Sequence, residues 1–429
     1  MPETSLAYRT VVGVARALLP AAAWASPKLR RAVEARRGAL ERLEAWGARH
    51  RDPARPLVWV HAPSVGEGLQ AEAVMQALHL LRPGWQVAYT HFSPSAQALA
   101  ARVPADIAEY LPFDTREAAD RMLRALRPAA LVFTKLDLWP ELATRAADHG
   151  CRVLLIAATV RPGSGRLGWP ARALLAPGYA ALDAVAAVDH ADAVRLAAIG
   201  ARPEAIQVLG DPRYDSVAAK VRAVPPTDPL LRFGAGAPTL VAGSTWPGDD
   251  QVLLPAFREV RRAHPGARLV LVPHEPTEEH LAGVERLAAE LGLPAPVRLS
   301  RATAAAELLL VDRLGALAAL YGAGTMAYVG GGFQRAGLHS VLEPAAWGVP
   351  VLMGPGWTES RDAQALHGAA AAVPITDAAG LAAAWGGWIA DGAVRALAGA
   401  RARAVVDAGL GASARSAELV VRAVERPRG

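Results

Sequence analysis

A carboxylate in the first turn of a helix that follows a buried strand can do one of two things. It can cap the helix, or it can take a proton from a hydroxyl brought to the strand's end. Glu67 is such a group: the apolar run Leu57 to His61 leads into Ala62-Pro-Ser-Val-Gly-Glu-Gly68, after which helical spacing begins. A glycine-containing turn between strand and helix lies at the ligand-binding edge of a parallel sheet, and the helix N-terminus favours negative charge there. The spacing alone leaves capping and proton transfer both open.

Further along, the same strand–turn–helix pattern returns with different chemistry. Val241-Ala-Gly-Ser-Thr-Trp-Pro-Gly248 places Ser244 and Thr245 where their hydroxyls and backbone could meet a phosphate, or could serve as an ordinary N-cap. Leu271-Val-Pro-His-Glu-Pro276 brackets His274 and Glu275 between prolines, a rigid polar loop whose histidine could bind a phosphate or base, or simply be solvated. The densest pattern is Val329-Gly-Gly-Gly-Phe333 followed by Gly337-Leu-His-Ser-Val-Leu-Glu-Pro344. Consecutive glycines, Gly331 and Gly332 among them, let a backbone approach a ligand closely. His339 and Ser340 would then open a helix whose first turn carries Glu343, a carboxylate able to accept from two ribose hydroxyls. Packing alone does not readily explain that combination.

Other chemistries lack their signatures. The sequence has no GxxxxGK[ST] phosphate loop, no G-x-S-x-G elbow and no tight His/Cys/carboxylate cluster for a metal, and Asp249-Asp250 at a helix start is a poor metal pair. The single cysteine, Cys151, excludes an internal disulfide framework and reads as a small buried hydrophobe.

The elements that must position these residues follow an alternating rhythm. Leu57 to His61, Val87 to Tyr89, Ala130 to Thr134, Val153 to Ala157, Ala184 to Val188 and Ile206 to Leu209 read as buried strands. Gln70 to Leu81 and Arg116 to Leu126 have helical spacing. This predicts a parallel sheet covered on both faces. Val221-Arg-Ala-Val-Pro-Pro-Thr-Asp-Pro229 breaks the rhythm and reads as a linker. A second series follows: Thr239 to Gly243, Arg268 to Val272, Leu308 to Val311, Met326 to Gly330 and Pro350 to Met353, connected in part by Asp250 to Arg262 and Ala363 to Ala371. The expected fold is therefore α/β, two Rossmann-like domains facing a central cleft. Its parts would be a basic N-terminal segment over 1–50, a first domain over 51–220, a linker over 221–229, a second domain over 230–405 and a C-terminal helix over 406–429.

With 429 residues, 52% of them hydrophobic and 20% charged, the chain can bury a large core, and disorder is excluded. A formal charge of +6 favours anionic partners. The sequence carries no nucleic-acid-binding motif, so acidic lipid or phosphorylated substrates are the expected partners and nucleic acid is not. Val11 to Ala25 is apolar but interrupted by Arg16 and Pro20, short of the roughly 20 residues that span a bilayer, and Lys28, Arg30, Arg31, Arg36 and Arg37 follow. It reads either as a helix packed on the first domain or as a segment lying in an anionic membrane interface.

Taken in order, these segments resemble the family of 3-deoxy-D-manno-octulosonic acid (Kdo) transferases of lipopolysaccharide synthesis. His61-Ala-Pro-Ser-Val-Gly-Glu67, Asp137-Leu-Trp-Pro140, Gly210-Asp-Pro-Arg-Tyr-Asp215, Ser244-Thr245, the Pro273 loop, Asp312-Arg-Leu-Gly315 and the Gly337 to Pro344 stretch follow the family's motifs across nearly the whole chain. The basic, apolar N-terminus is similar to the family's membrane-facing anchor. The resemblance implies the GT-B fold, with acceptor binding in the first domain and donor binding in the second. It implies inverting, metal-independent transfer from CMP-Kdo to a lipid A precursor, no cofactor, and a place on the cytoplasmic face of the inner membrane. It makes Glu67 the general base and carries CMP contacts to His274, Glu275, Leu314, Gly315, Ala316, Ser340, Val341, Leu342 and Glu343. By motif position, Ser64, Lys135 and Asp137 shape the acceptor side, and Arg213 helps neutralise the donor or acceptor.

The chain also departs from the family pattern. His274-Glu275 stands where Arg-His is usual, Lys135-Leu-Asp137 for Glu-Thr-Glu, Ala157-Ala-Thr159 for Asn-Ala-Arg, Ser340-Val341 for Asn-Pro and Ala316 for a glutamate. These differences read as a divergent branch. Alternative functions are a GT-B transferase with another nucleotide sugar, a nucleotide-sugar epimerase, or a non-catalytic nucleotide- or lipid-binding module. The presence of Glu67 speaks against the last.

Overall fold

The computed structural model describes residues 4–302, 306–334 and 337–427. The chain divides into two compact units, Met1–Ser216 with Leu410–Gly429, and Val217–Gly409. Each unit is built on a seven-stranded parallel sheet.

In the first unit the strands are β1 (Leu57–His61), β2 (Gln86–His91), β3 (Ile107–Tyr110), β4 (Ala130–Thr134), β5 (Arg152–Ala158), β6 (Ala184–Ala187) and β7 (Ile206–Val208), in the order β3-β2-β1-β4-β5-β6-β7. In the second they are β8 (Thr239–Thr245), β9 (Arg268–Pro273), β10 (Val297–Arg298), β11 (Leu308–Leu310), β12 (Met326–Val329), β13 (Val351–Met353) and β14 (Ala372–Pro374), in the order β10-β11-β9-β8-β12-β13-β14. The central strands read as unbroken apolar runs because helices cover both faces of a parallel sheet. β1 and β4 are buried at every position. The edge strands β3, β10 and β14 are short and partly exposed, so their sequences give no strand signal.

Helix Arg116–Leu126 shows how local chemistry sets an element. Thr115 caps it by accepting from the Ala118 amide, Ala118, Ala119, Met122, Leu123 and Leu126 form its buried stripe, and Arg127 ends it at φ 43°. Helix Val65–Leu81 begins five residues earlier than its periodicity suggests, since its first turn is polar and glycine-rich. A Cβ on Gly68 would lie 2.4 Å from Leu99 and 2.9 Å from the Tyr89 hydroxyl. The missing side chain is therefore what lets that first turn sit directly on β2.

The C-terminal helix Ala412–Glu425 returns to the first unit, where Ala417, Leu419, Val420 and Val421 join the core of Val58, Val74, Met75 and Ile156. Asp215 holds its start, accepting from the Gly411 and Ser413 amides, each at 2.7 Å. The proline-rich stretch after Val221 is a continuation of the second unit: helix Arg213–Arg222 runs into it and a 3-10 turn, Pro229–Gly234, leads out.

Three helices open the chain: Leu6–Ala25, Pro27–Ala35 and Ala39–His50. The first is fastened near its start. The Tyr8 hydroxyl donates to Asp114 at 2.7 Å and the Arg9 guanidinium to Glu141 at 3.0 Å. Asp114 also accepts from the Glu141 and Leu142 amides, and burial pushes its carboxyl up to about 6 against those bonds. Further along, Val11, Val14 and Leu18 are exposed at helical spacing and Trp24 is 89% exposed. No described helix is long and apolar enough to cross a membrane. Arg36 does not belong with the outward-facing basic residues: its guanidinium lies 3.6 Å from the Phe92 ring centroid, and burial lowers it to about 10. The Lys28 side chain lies outside the described residues.

Candidate active site

Strand order decides where ligands can approach each sheet. The chain moves outward from β1 through β2 to β3, then returns to begin β4 on β1's other side. The crevice at the carboxyl ends of β1 and β4 is thus the switch point at which parallel α/β sheets bind ligands. His61 ends β1, Ser64 and Glu67 follow it, and Lys135 and Asp137 follow β4. All five residues therefore converge on one edge.

Ser64 is the N-cap of helix Val65–Leu81, but its hydroxyl does not accept from a backbone amide. It donates to the Glu67 carboxylate instead. Lys135 donates to the other Glu67 oxygen at 2.9 Å. Lys135 adopts φ 65°, an unusual conformation for a side-chain-bearing residue, and its amide is tied to the Ile156 carbonyl at 2.8 Å. Burial raises the Glu67 carboxyl, but the hydrogen bonds and charge of Lys135 and the Ser64 hydroxyl outweigh it and leave the group below its ordinary value. Glu67 is an ionised, half-enclosed carboxylate, equipped to receive a proton.

Asp137 belongs to a second chain of bonds. Its Oδ2 accepts from Trp139 Nε1 at 3.0 Å and lies 3.2 Å from His61 Nε2. On the other side of the buried imidazole, Thr90 Oγ1 lies 3.0 Å from Nδ1 and accepts from Trp59 Nε1 at 2.9 Å. Burial raises Asp137, whereas His61, Trp139 and the charge of Arg166 together carry it below its usual value. His61, Thr90 and Trp139 are the residues that sequence reasoning left without a role. The only signal for them was the placement of His61 and Trp139 inside motifs read for other residues. Arg213, expected to neutralise a ligand, pairs with Asp211 at 2.7 Å, and Gln70 from the Glu67 helix bonds the same carboxylate at 3.0 Å.

In the second unit the switch point falls between β8 and β12. Ser244 and Thr245 end β8, His274 and Glu275 follow β9, Leu314, Gly315 and Ala316 follow β11, and the glycines follow β12. The whole expected donor set therefore lies along one sheet edge. Within it, the rings of Trp246, His274 and His339 form a cluster: Trp246 stacks on His274 at 5.0 Å and His274 lies 4.4 Å from His339. Trp246 Nε1 donates to His339 Nε2 at 3.0 Å. Burial and the neighbouring His274 lower His339, with Asp249 opposing. Trp246 too was missed, since it reads as one residue of a turn.

One expectation about this loop needs correction, the start of its helix, and the glycines and Glu343 prove to have partners within the chain as well. The glycines make room for the chain's own backbone: a Cβ would meet the Ser244 carbonyl oxygen at 2.3 Å from Gly330, the Gly337 carbonyl oxygen at 2.4 Å from Gly331 and the Gly354 Cα at 2.7 Å from Gly332. The Gly331 amide is also engaged, donating to Asp249 at 2.9 Å; that buried carboxylate further accepts from Tyr328 and the Trp246 amide. Next, the helix after the glycines starts at Leu342, beyond His339 and Ser340, and runs only to Ala346. Finally, one oxygen of Glu343 accepts from Lys220 at 2.5 Å. Val341 and Leu342 are fully buried, Leu314 and Glu275 are exposed, and Ala316 is buried behind Gly315 at φ 87°. Among the described residues no group of three or more His, Cys, Asp or Glu could hold a metal ion.

Two Rossmann-like units, each with polar residues at the switch point of its sheet, define the architecture of GT-B enzymes. A UDP-GlcNAc 2-epimerase from Neisseria meningitidis, solved bound to UDP-GlcNAc, aligns with a TM-score of 0.62 over 86% of this chain and 99% of its own, at 12% identity, a likeness of fold alone. Residues 34–216 match the family model described as 3-deoxy-D-manno-octulosonic-acid transferase. The 3-deoxy-D-manno-octulosonic acid transferase of Bordetella pertussis is 31% identical over 338 residues, 74% of this chain and 75% of that protein. That of Haemophilus influenzae is 25% identical over 69% of this chain and 70% of its own. The chain belongs to the 3-deoxy-D-manno-octulosonic acid transferase family, and is a glycosyltransferase.

The Glu67–Lys135 pair makes a directional prediction. In Lys135→Met the bond and charge that lower Glu67 are lost while burial remains, so its carboxyl rises. A carboxylate that acts as a base works only when deprotonated, so if Glu67 has that role the acid limb of kcat/KM for sugar transfer should move to higher pH. A pH–rate profile with an unmoved acid limb would contradict the coupling.

Proposed function

We propose that this enzyme transfers Kdo from CMP-Kdo to a hydroxyl of a lipid A precursor with inversion, and that Glu67 is the general base. The observation that carries this reading is the ionised Glu67 carboxylate, held by Lys135 and Ser64 at the switch point of the first sheet, in a chain of this family. As Glu67 takes the acceptor's hydroxyl proton, the acceptor oxygen bonds to the anomeric carbon. The bond from that carbon to the phosphate oxygen breaks, and its electron pair leaves with CMP. Such positioned proton transfer contributes about 10²–10⁴-fold. Asp137, kept ionised by His61 and Trp139, offers a fixed acceptor for the sugar hydroxyls of the incoming lipid. Donor binding falls to the second unit, along the edge that carries Ser244, His274, Gly315, His339 and Ser340.

The lipid substrate also gives the first helix a purpose. Exposed Val11, Val14 and Leu18 on one face, with Trp24 beyond, suit the interface of an anionic bilayer, and Arg16, Arg30 and Arg37 are exposed nearby. This supports a peripheral enzyme on an anionic membrane surface, which in our reading is the cytoplasmic face of the inner membrane.

Transfer is tested with CMP-Kdo generated in the reaction and a tetra-acylated lipid A precursor. The expected product gains mass in whole Kdo increments. Product formed only with a different nucleotide sugar would overturn the donor and favour another GT-B transferase. In vesicle flotation, the wild type should bind phosphatidylglycerol vesicles, whereas a Val14→Ser, Leu18→Ser, Trp24→Ser variant should lose most of that binding and still act on detergent-dispersed acceptor. Unchanged flotation of the variant would contradict the role of the helix.

A further inference from the structure

The contact between Trp246 and His339 determines where a proton sits. An indole Nε1–H has no lone pair and can only donate. At 3.0 Å from His339 Nε2 it requires the lone pair of that nitrogen, so the proton of the neutral imidazole is on Nδ1. Protonating the ring would set N–H against N–H and place a cation 4.4 Å from the centroid of His274. The charged or titratable groups facing His339 are His274, beyond β9, and Asp249, in helix Pro247–Ala263. Asp249 is already engaged by three donors, the Trp246 and Gly331 amides and the Tyr328 hydroxyl. Among the described residues none bonds His339 Nδ1. The ring is braced on its other side, because a Cβ on Gly331 would come within 3.0 Å of its Cδ2.

We propose that His339 is a neutral hydrogen-bond donor whose Nδ1–H, in the tautomer selected by Trp246, is offered to the anionic phosphate of the nucleotide sugar. Trp246 acts through His339 and is a positioning residue. The inference rests on the reading that the second unit binds the donor. A neutral donor fixed in advance stabilises the charge that gathers on the departing phosphate without reorganising during the reaction. Lowered by burial and by His274, it also stays neutral where an ordinary histidine would begin to protonate. His339 is thereby excluded as a proton acceptor at Nδ1.

The test is two-bond ¹H–¹⁵N correlation on the full chain with ¹⁵N-labelled histidine, the His339 signals being assigned by their loss in His339→Gln. At pH 7 the wild type should show a protonated Nδ1 and a bare Nε2, and CMP should shift Nδ1. Trp246→Phe keeps a ring against His274 but removes the N–H, and should abolish the preference for the Nδ1–H form. His339→Ala should lower kcat by about 10²-fold, the usual cost of one preorganised donor, and Trp246→Phe by less. An Nε2–H form or an imidazolium at pH 7, or a tautomer unchanged in Trp246→Phe, would overturn the proposal. If CMP shifts other second-unit resonances but not His339 Nδ1, donation to the phosphate is overturned and the donor reading stands. If CMP shifts nothing in the second unit, the donor reading fails, and this inference with it.

Discussion

A carboxylate drawn out of water at a sheet edge must be balanced or it will take up a proton. In this enzyme the balance at Glu67 comes from Lys135, sixty-eight residues away in sequence, and the Ser64 hydroxyl. Much of the first unit serves to bring those groups together. β1 and β4 pair directly, so the segments that leave their carboxyl ends are neighbours. Gly68 lets the Glu67 helix start against β2, and the left-handed backbone at Lys135 turns the chain from β4 toward the base. Behind this pair, His61, Thr90 and Trp139 fix Asp137 in a separate line of hydrogen bonds. Glu67 and Asp137 thus have different supports, and one can be altered without removing the partners of the other.

The second unit handles the opposite charge problem. If it receives a phosphate, as proposed, the described residues of its sheet edge offer histidines, glycines and hydroxyls to it. Trp246, His274 and His339 stack, and Asp249 secures Trp246, Tyr328 and Gly331 at once. The result is a polar rim of packed rings and engaged amides. Where the family pattern has Arg-His, this chain has His274-Glu275 with Glu275 exposed.

The buried strands were legible because strands covered on both faces must be apolar throughout, and that leaves runs such as Leu131-Val-Phe133 and Leu154-Leu-Ile156. The edge strands were not, because Ile107-Ala-Glu-Tyr110 and Val297-Arg298 are short and half exposed. Glu67 could be picked out from its strand–turn–helix setting, but not its partner: the pairing with Lys135 depends on strand order, which no local pattern encodes. The same holds for His61, which in sequence is only the last residue of a strand. The glycines after β12 show the converse. Their sequence suggested a ligand, while in the fold they let three backbone segments cross. Arg36 likewise counted as one of a basic cluster until its burial against Phe92 set it apart.

The account turns on Glu67 accepting the acceptor's proton, and chemical rescue tests that most directly. Sugar transfer by Glu67→Ala should fall by about 10²–10⁴-fold, and added formate, a small carboxylate able to enter the space left by the side chain, should restore part of it while leaving the wild type unchanged. A Glu67→Ala enzyme that turns over at nearly the wild-type rate without formate would contradict the account.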